Sequence, residues 1–336
     1  MTKWLKLSDA DRLLSLEQAS ARSGISSKAI EKDWWVTLVL EAVFNTQYAE
    51  HILFKGGTSL SKCYHLIQRF SEDIDLSIER DFLGFSENLS KTQVRKLKKV
   101  ASSFTSTFLR EEIQRQILSL GVPADMVNVV ADPISTILPD IDPQTIRISY
   151  PSLLDPVYYI EDSIKIEVSA RSLKEPGIEG LINSMLSEYM PGLSWSGSSF
   201  PVFSVYPKRT LLEKIFLLHE EFLKPINEIN YSRMSRHLYD IERMMDTEYA
   251  TALLSDFKYF ETVIHHREKF IFKQGVDYNS HYPQTLSFLP PQQILDAFEK
   301  DYNQMREQMI YGENIPSFQL LISRLKEFLN ELRKLK

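Results

Sequence analysis

Residues Phe54 to Ser77 read FKGGTSLSKCYHLIQRFSEDIDLS, and this stretch decides the fold. His51 to Phe54 is short and apolar, which predicts a buried strand. Gly56-Gly57 is the only adjacent pair among 11 glycines and predicts a tight turn, where backbone can approach a ligand with no Cβ intervening. Thr58 and Ser59 then open a predicted helix with Leu60, Cys63, Tyr64 and Ile67 on one face. Free N–H groups at that helix start, with the two hydroxyls, would form an anion site suited to phosphates. Next, Ser71 to Ile78 predicts a second strand. Alternation turns Asp73, Asp75 and Ser77 to one face and Ile74, Leu76 and Ile78 to the core. Mg²⁺ takes hard oxygen ligands, usually one or two carboxylates plus substrate phosphates. A lone Asp-x-Asp is most often a solvated strand end, and a lone Gly-Gly is usually a turn. Their joint order predicts a site for a nucleoside triphosphate and its Mg²⁺.

At these residues the sequence resembles the polymerase-β-type nucleotidyltransferase superfamily. Within it, FKGGTSLSK followed by RFSEDIDL is similar to the signature of the AbiEii/AbiGii toxin family. The likeness extends to IEKDWWV at 30–36, LLEKIFLLH at 211–219, SRHLYDI at 235–241, and DYNQM and MIYGENIPSF near the C-terminus. The resemblance implies an α+β fold: a polymerase-β-like nucleotidyltransferase mixed sheet flanked by helices, followed by a mainly helical C-terminal domain. It also implies Mg²⁺-dependent transfer of a nucleotide from an NTP, with tRNA as acceptor in some members. A bacteriostatic toxin neutralised by a cognate, AbiEi-like antitoxin encoded beside it is a further implication.

Composition sets bounds. The 336 residues are 43% apolar, enough for a substantial core in two subdomains or one large domain. A net charge of −6 excludes a globally basic nucleic-acid binder, so RNA contact would need local basic patches. The single cysteine, Cys63, excludes an internal disulfide, fits a reducing cytosol, and falls on an apolar helix face where packing is its expected role. Met1 to Leu13 lacks a signal-peptide core, and the apolar helix from Trp34 to Phe44 is interrupted by Glu41. The expectation is a soluble, cytoplasmic protein with no membrane association and no structural zinc.

Three regions are expected: N-terminal helices over 1–50, a nucleotidyltransferase α/β domain over 51–205 and a helical domain over 206–336. Asp9 to Arg22 and Ser27 to Phe44 read as helices, with Gly24 as a stop signal and Ser27 as the second helix's cap. Ser90 to Leu120 reads as one long helix. Strands are expected at Val127–Ala131, Thr145–Tyr150 and Ser163–Ser169. The stretch 172–200, with four glycines and several serines, reads as a long loop or hinge. A nucleotide cleft is expected between the two larger regions.

Further site residues follow from alternation and from the resemblance together. Lys165, Glu167 and Ser169 share a polar strand face, and Glu167 is the candidate third carboxylate beside Asp73 and Asp75, although the superfamily often has Asp there. The plain alternative is a solvated sheet face. Lys214 sits on a largely apolar helix, where an unpaired ammonium is costly, so a triphosphate or a salt-bridge partner is expected. Asp240 lies one helical turn after Arg236; the plain reading is an ion pair, and the resemblance gives Asp240 a supporting role, orienting Lys214 or the nucleotide. The catalytic set is therefore Asp73, Asp75, Glu167, Lys214 and Asp240. The nucleotide-binding set is Lys55, Gly56, Gly57, Thr58, Ser59, Lys214 and Arg236.

Two basic stretches could meet an RNA backbone: Lys91, Arg95, Lys96, Lys98 and Lys99, and Arg267, Lys269 and Lys273 interleaved with Phe270 and Phe272. Charged helix faces are more often simply solvated. Two alternatives stand beside tRNA modification. One is transfer to a protein or a small molecule. The other is a non-catalytic nucleotide-binding toxin.

Overall fold

The computed structural model describes residues 1–134, 142–157, 160–312 and 314–335; Glu313, within the MIYGENIPSF stretch, lies outside them. The chain forms two compact units, Met1–Tyr64 with Phe70–Val205, and His65–Arg69 with Tyr206–Lys336. Among the described residues, no helix is long and apolar enough to cross a membrane.

The first unit is built on a mixed seven-stranded sheet. Its strands are β1 (Ile52–Lys55), β2 (Ile74–Ile78), β3 (Asn128–Ala131), β4 (Gln144–Ser149), β5 (Ser163–Ser169), β6 (Ile178–Ile182) and β7 (Phe200–Ser204), in the order β3-β4-β5-β2-β1-β7-β6. β1 runs antiparallel to β2 and parallel to β7, and β2 runs parallel to β5. Period-two alternation separates the faces. Phe54, Ile74, Leu76, Ile164, Ile166, Ile146 and Ile148 are fully buried, whereas Lys55, Asp75, Glu167 and Arg147 lie on the opposite, more accessible face.

Helices α1 (Asp9–Ser23) and α2 (Ser27–Phe44) belong to this unit. Gly24 ends α1 in the left-handed region at φ 72, as a C-terminal glycine does. Ser26, not Ser27, caps α2, because its hydroxyl accepts from the Ala29 N–H. Trp34 and Trp35 of α2 join Trp4 and Tyr150 in a chain of ring contacts, tilted for Trp4–Trp34, edge-to-face for Trp34–Trp35 and stacked for Trp35–Tyr150. The short helix α3 (Gly56–Lys62) follows β1 directly. The predicted long helix is α4 (Lys91–Phe104), a π turn at Thr105–Leu109, and α5 (Arg110–Ser119).

The expected loop over 172–200 is irregular over most of its length but contains β6 and a short helix α6 (Met185–Tyr189) and runs into the start of β7. Two of the glycines there have packing reasons. A Cβ at Gly180 would meet Cys63 Cβ at 3.2 Å, and one at Gly177 would meet Leu53 Cδ2 at 2.5 Å. Cys63 is thus a packing residue, and burial pushes its thiol up to about 11.

The second unit is helical: α7 (Pro207–Phe222), α8 (Ser235–Met244), α9 (Glu248–Leu254), α10 (Phe257–Phe270), α11 (Leu295–Gln308) and α12 (Phe318–Leu332). Glu220 is buried inside it, bound by Nε and Nη2 of Arg267, by Lys273 at 2.8 Å and by His281 at 3.1 Å. Of the basic stretch at 267–273, Arg267 is buried on this carboxylate, Lys273 reaches it from the surface, and Lys269 is exposed. His219 is 2% exposed, with Nε2 at 2.9 Å from Ser280 Oγ and Nδ1 accepting from the Ser287 N–H at 3.2 Å.

Burial, reinforced by His281, pushes the His219 pKa down from 6.5 to about 4. Between those values the unfolded chain binds the extra proton, so stability falls as pH drops from 6.5 towards 4. Thermal unfolding across that range should show this loss, at most about 3 kcal/mol. His219→Gln should lack that component; parallel pH profiles for the two proteins would contradict it.

Candidate active site

The glycine motif and the aspartate strand meet in the first unit. Gly56 has φ +79, a conformation L side chains rarely adopt. A Cβ placed on it would lie 2.0 Å from Asp75 Oδ2 and 2.9 Å from the carboxyl carbon. The space a side chain would need is therefore filled by the Asp75 carboxylate. The tight turn expected at Gly56-Gly57 is absorbed into the helix, since both residues form the first positions of α3.

Strand register lines up the charged residues. Lys55 pairs with Asp75 across β1 and β2, and Asp75 pairs with Glu167 across β2 and β5. Asp73 lies two residues before Asp75, just outside β2. Asp73, Asp75 and Glu167 are all partly accessible. Glu167 is ion-paired with Lys165 on the same strand face, both side chains about a third exposed. Such pairs are worth little, so Glu167 can exchange that partner for a cation at small cost.

The hydroxyls of Thr58 and Ser59 are engaged within the protein. Thr58 is 1% exposed and donates to the main-chain carbonyl of Asp73, with Ser71 Oγ at 2.9 Å. Ser59 is fully buried and donates to the Gly56 carbonyl at 3.0 Å. Both therefore shape the motif, and Thr58 links α3 directly to the residue that opens the aspartate strand.

Among the described residues, no group of three or more His, Cys, Asp or Glu side chains is drawn together closely enough to hold a metal as it stands. The donor chemistry nevertheless fits Mg²⁺: hard carboxylate oxygens on adjacent register positions, beside a glycine that admits close approach. Two aspartates plus substrate phosphates meet the usual need of that ion.

The same unit holds a cavity of about 490 Å³ around Leu53, two residues along β1 from Lys55. Leu53, Pro176 and Phe203 supply apolar wall, and Glu50, Glu79, Glu175 and Lys174 supply charge. The Lys174 amine is 2.6 Å from Asp81 Oδ2.

The second unit contains the remaining expected residues. Asp240 is fully buried on α8 and is bound by Arg69 through two bonds of 2.7 Å and by Lys214 at 2.7 Å. Burial alone would raise its pKa; the charges of Arg69 and Lys214 reverse that and hold it far below the carboxylate range. Lys214 therefore has the carboxylate partner its burial demanded, while Glu213 pairs with Arg209 instead. Burial lowers the Lys214 pKa; Asp240 opposes the shift, and Arg69 and Arg236 add to it. Arg236 is thus felt at Lys214, but the cations bound to Asp240 are Arg69 and Lys214, not the i,i+4 neighbour.

Arg69 was not apparent as a site residue. It lies inside the quoted stretch, yet its partner is 171 residues away, beyond any local periodicity. The role of Asp301, in the DYNQM stretch, was equally hidden. Its carboxylate accepts from the N–H groups of Arg233 at 2.7 Å and Ser235 at 3.0 Å and from the Ser235 hydroxyl, which anchors the start of α8.

No curated protein matches the chain. Two solved structures from Helicobacter pylori are similar in outline. JHP933 is 13% identical, with 92% of this chain and 94% of that chain covered at a TM-score of 0.42. A candidate nucleotidyltransferase is 12% identical, with 92% and 96% covered at a TM-score of 0.42. The family model described as "Nucleotidyl transferase AbiEii toxin, Type IV TA system" matches residues 38–324, a span that includes the glycine motif, the aspartate strand, Glu167, Lys214 and Asp240. The chain belongs to the AbiEii nucleotidyl transferase toxin family.

Proposed function

We propose that the protein transfers a nucleoside monophosphate from an NTP to an acceptor hydroxyl, with tRNA as the acceptor, and that a cognate antitoxin restrains it. The observation that carries this reading is the fit of the Asp75 carboxylate into the space left by Gly56. It places a carboxylate against the backbone segment assigned to the phosphates, and the register adds Lys55 and Glu167 alongside.

In this reading Asp73, Asp75 and Glu167 hold Mg²⁺. The ion, when bound, offsets phosphate charge and lowers the pKa of the attacking hydroxyl. Gly56 and Gly57 present main-chain N–H groups to the phosphates, and Lys55 adds charge on the same sheet face. Thr58 and Ser59 keep that backbone in place. Lys214, held by Asp240, and Arg236 are the cations that the family resemblance assigns to the nucleotide. Catalysis then rests on positioning and charge neutralisation rather than on a covalent intermediate. The exposed basic residues Lys91, Arg95, Lys96 and Lys99 on α4 are the surface assigned to RNA backbone.

A second reading has its own support. The cavity beside Leu53 carries three glutamates against one lysine, and that lysine is engaged by Asp81. Such walls repel phosphate and suit an amine-bearing small molecule or a basic protein segment. A non-catalytic nucleotide binder would not need the acidic row.

The protein is incubated with total tRNA and each labelled NTP, with and without Mg²⁺. Label on tRNA that requires Mg²⁺ is expected. Label on a protein or a small amine favours the second reading, and no label with any NTP removes the enzyme assignment. Asp73→Ala and Asp75→Ala should each abolish transfer while the protein stays folded; activity retained in both would remove the metal site. Gly56→Ala should cost roughly 100-fold or more in turnover, because the added methyl displaces the Asp75 carboxylate. Wild-type turnover in that variant would show that the close approach has no catalytic meaning.

A further inference from the structure

Helix α2 is buried along most of its length, and its buried residues include Lys28, Glu31, Lys32 and Asp33. Burying four charges is costly unless each is paired. Each one is. Lys28 reaches Asp162 at 2.5 Å, and Glu31 accepts from the Leu153 N–H at 2.8 Å. Lys32 Nζ lies 2.6 Å from Glu72 Oε2 and donates to the Glu161 carbonyl at 2.8 Å. Asp33 binds Lys62 Nζ at 2.6 Å and accepts from the Met185 N–H at 2.7 Å.

Two of these partners lie on the motif's own elements. Lys62 is the last residue of α3, and Glu72 immediately precedes Asp73. Glu72 and Lys32 are 6% and 2% exposed at their side chains, and Lys62 and Asp33 are 6% and 2% exposed. Adjacent residues of one helix thus hold the last residue of the helix that the glycines open and the residue just before the first aspartate.

We infer that α2 is a positioning element for the proposed reaction. The Lys32–Glu72 pair fixes the backbone that aims Asp73, and the Asp33–Lys62 pair fixes the far end of α3. The inference rests on the proposed transfer activity for its functional meaning. Stability alone does not explain these pairs, since apolar residues of similar volume commonly serve a buried site as well or better. What an ion pair adds is direction: it specifies where one atom must lie. Thr58, which donates to the Asp73 carbonyl, then ties the two braced elements together.

The test removes the pair without leaving a lone buried charge. In Lys32→Met/Glu72→Leu the unfolding temperature should stay at or above the wild-type value, because both charges leave together. Turnover should fall at least tenfold, with KM for the NTP within about twofold, as expected for a displaced catalytic group. Affinity for Mn²⁺, titrated by electron paramagnetic resonance without any NTP, should weaken by a similar factor. A folded double variant with wild-type turnover and wild-type Mn²⁺ affinity overturns the inference. Should the double variant not fold, Glu72→Asp serves instead: it keeps the charge but shortens the arm by one methylene, drawing Asp73 towards α2. A folded Glu72→Asp protein with wild-type turnover and Mn²⁺ affinity likewise overturns it. If the wild-type protein transfers no nucleotide, the proposed activity fails, and the Mn²⁺ titration still decides whether α2 positions Asp73.

Discussion

The close approach of the Asp75 carboxylate to Gly56 is the constraint on which the rest of the first unit depends. A side chain at position 56 would be excluded twice, by a φ of +79 and by an oxygen 2.0 Å from where its Cβ would sit. That double exclusion joins a helix start to a strand face. β1 must then pair with β2 so that Lys55 faces Asp75, and β2 must pair with β5 so that Asp75 faces Glu167. The opposite faces of the same strands are filled by isoleucine, leucine, valine and phenylalanine. One residue of register slip would exchange the charged and apolar faces, so the hydrophobic core itself fixes where the carboxylates point.

Each unit also solves an electrostatic problem in its interior. In the first, α2 buries Lys28, Lys32 and Asp33 and pairs each with a distant segment. In the second, Asp240 is held by Arg69 and Lys214, and Glu220 by Arg267, Lys273 and His281. Losing one partner of such a set leaves an uncompensated buried charge, which is far more costly than removing a surface pair. These interactions therefore define geometry sharply even where they add little net stability.

Much of this was legible in the sequence, and the limits have physical causes. β1 announces itself as a short apolar run and β2 and β5 by alternation, which places Asp73, Asp75 and Glu167 on polar faces, and the resemblance adds the reason to select Glu167. Gly24 and the long helix from Lys91 are readable for local reasons. β6 and β7 were not, because β6 is an edge strand with a glycine at its centre and β7 carries Pro201, features that resemble loop composition. The buried networks were also invisible. Arg69 with Asp240 and Arg267 with Glu220 are separated by 171 and 47 residues, so Arg267 looked like surface when it serves the interior. The hydroxyls of Thr58 and Ser59 looked free to grip phosphate, and only coordinates show them turned to the protein's own carbonyls.

The most direct test of the carboxylate–glycine arrangement is a crystal structure with Mn²⁺ and a non-hydrolysable NTP analogue, with the metal located by anomalous scattering. The manganese peak should lie between the Asp73 and Asp75 carboxylates, with the analogue's phosphates on the main chain of Gly56 and Gly57. A metal bound elsewhere, or phosphates seated away from those glycines, would contradict the assignment of this sheet face as the nucleotide site.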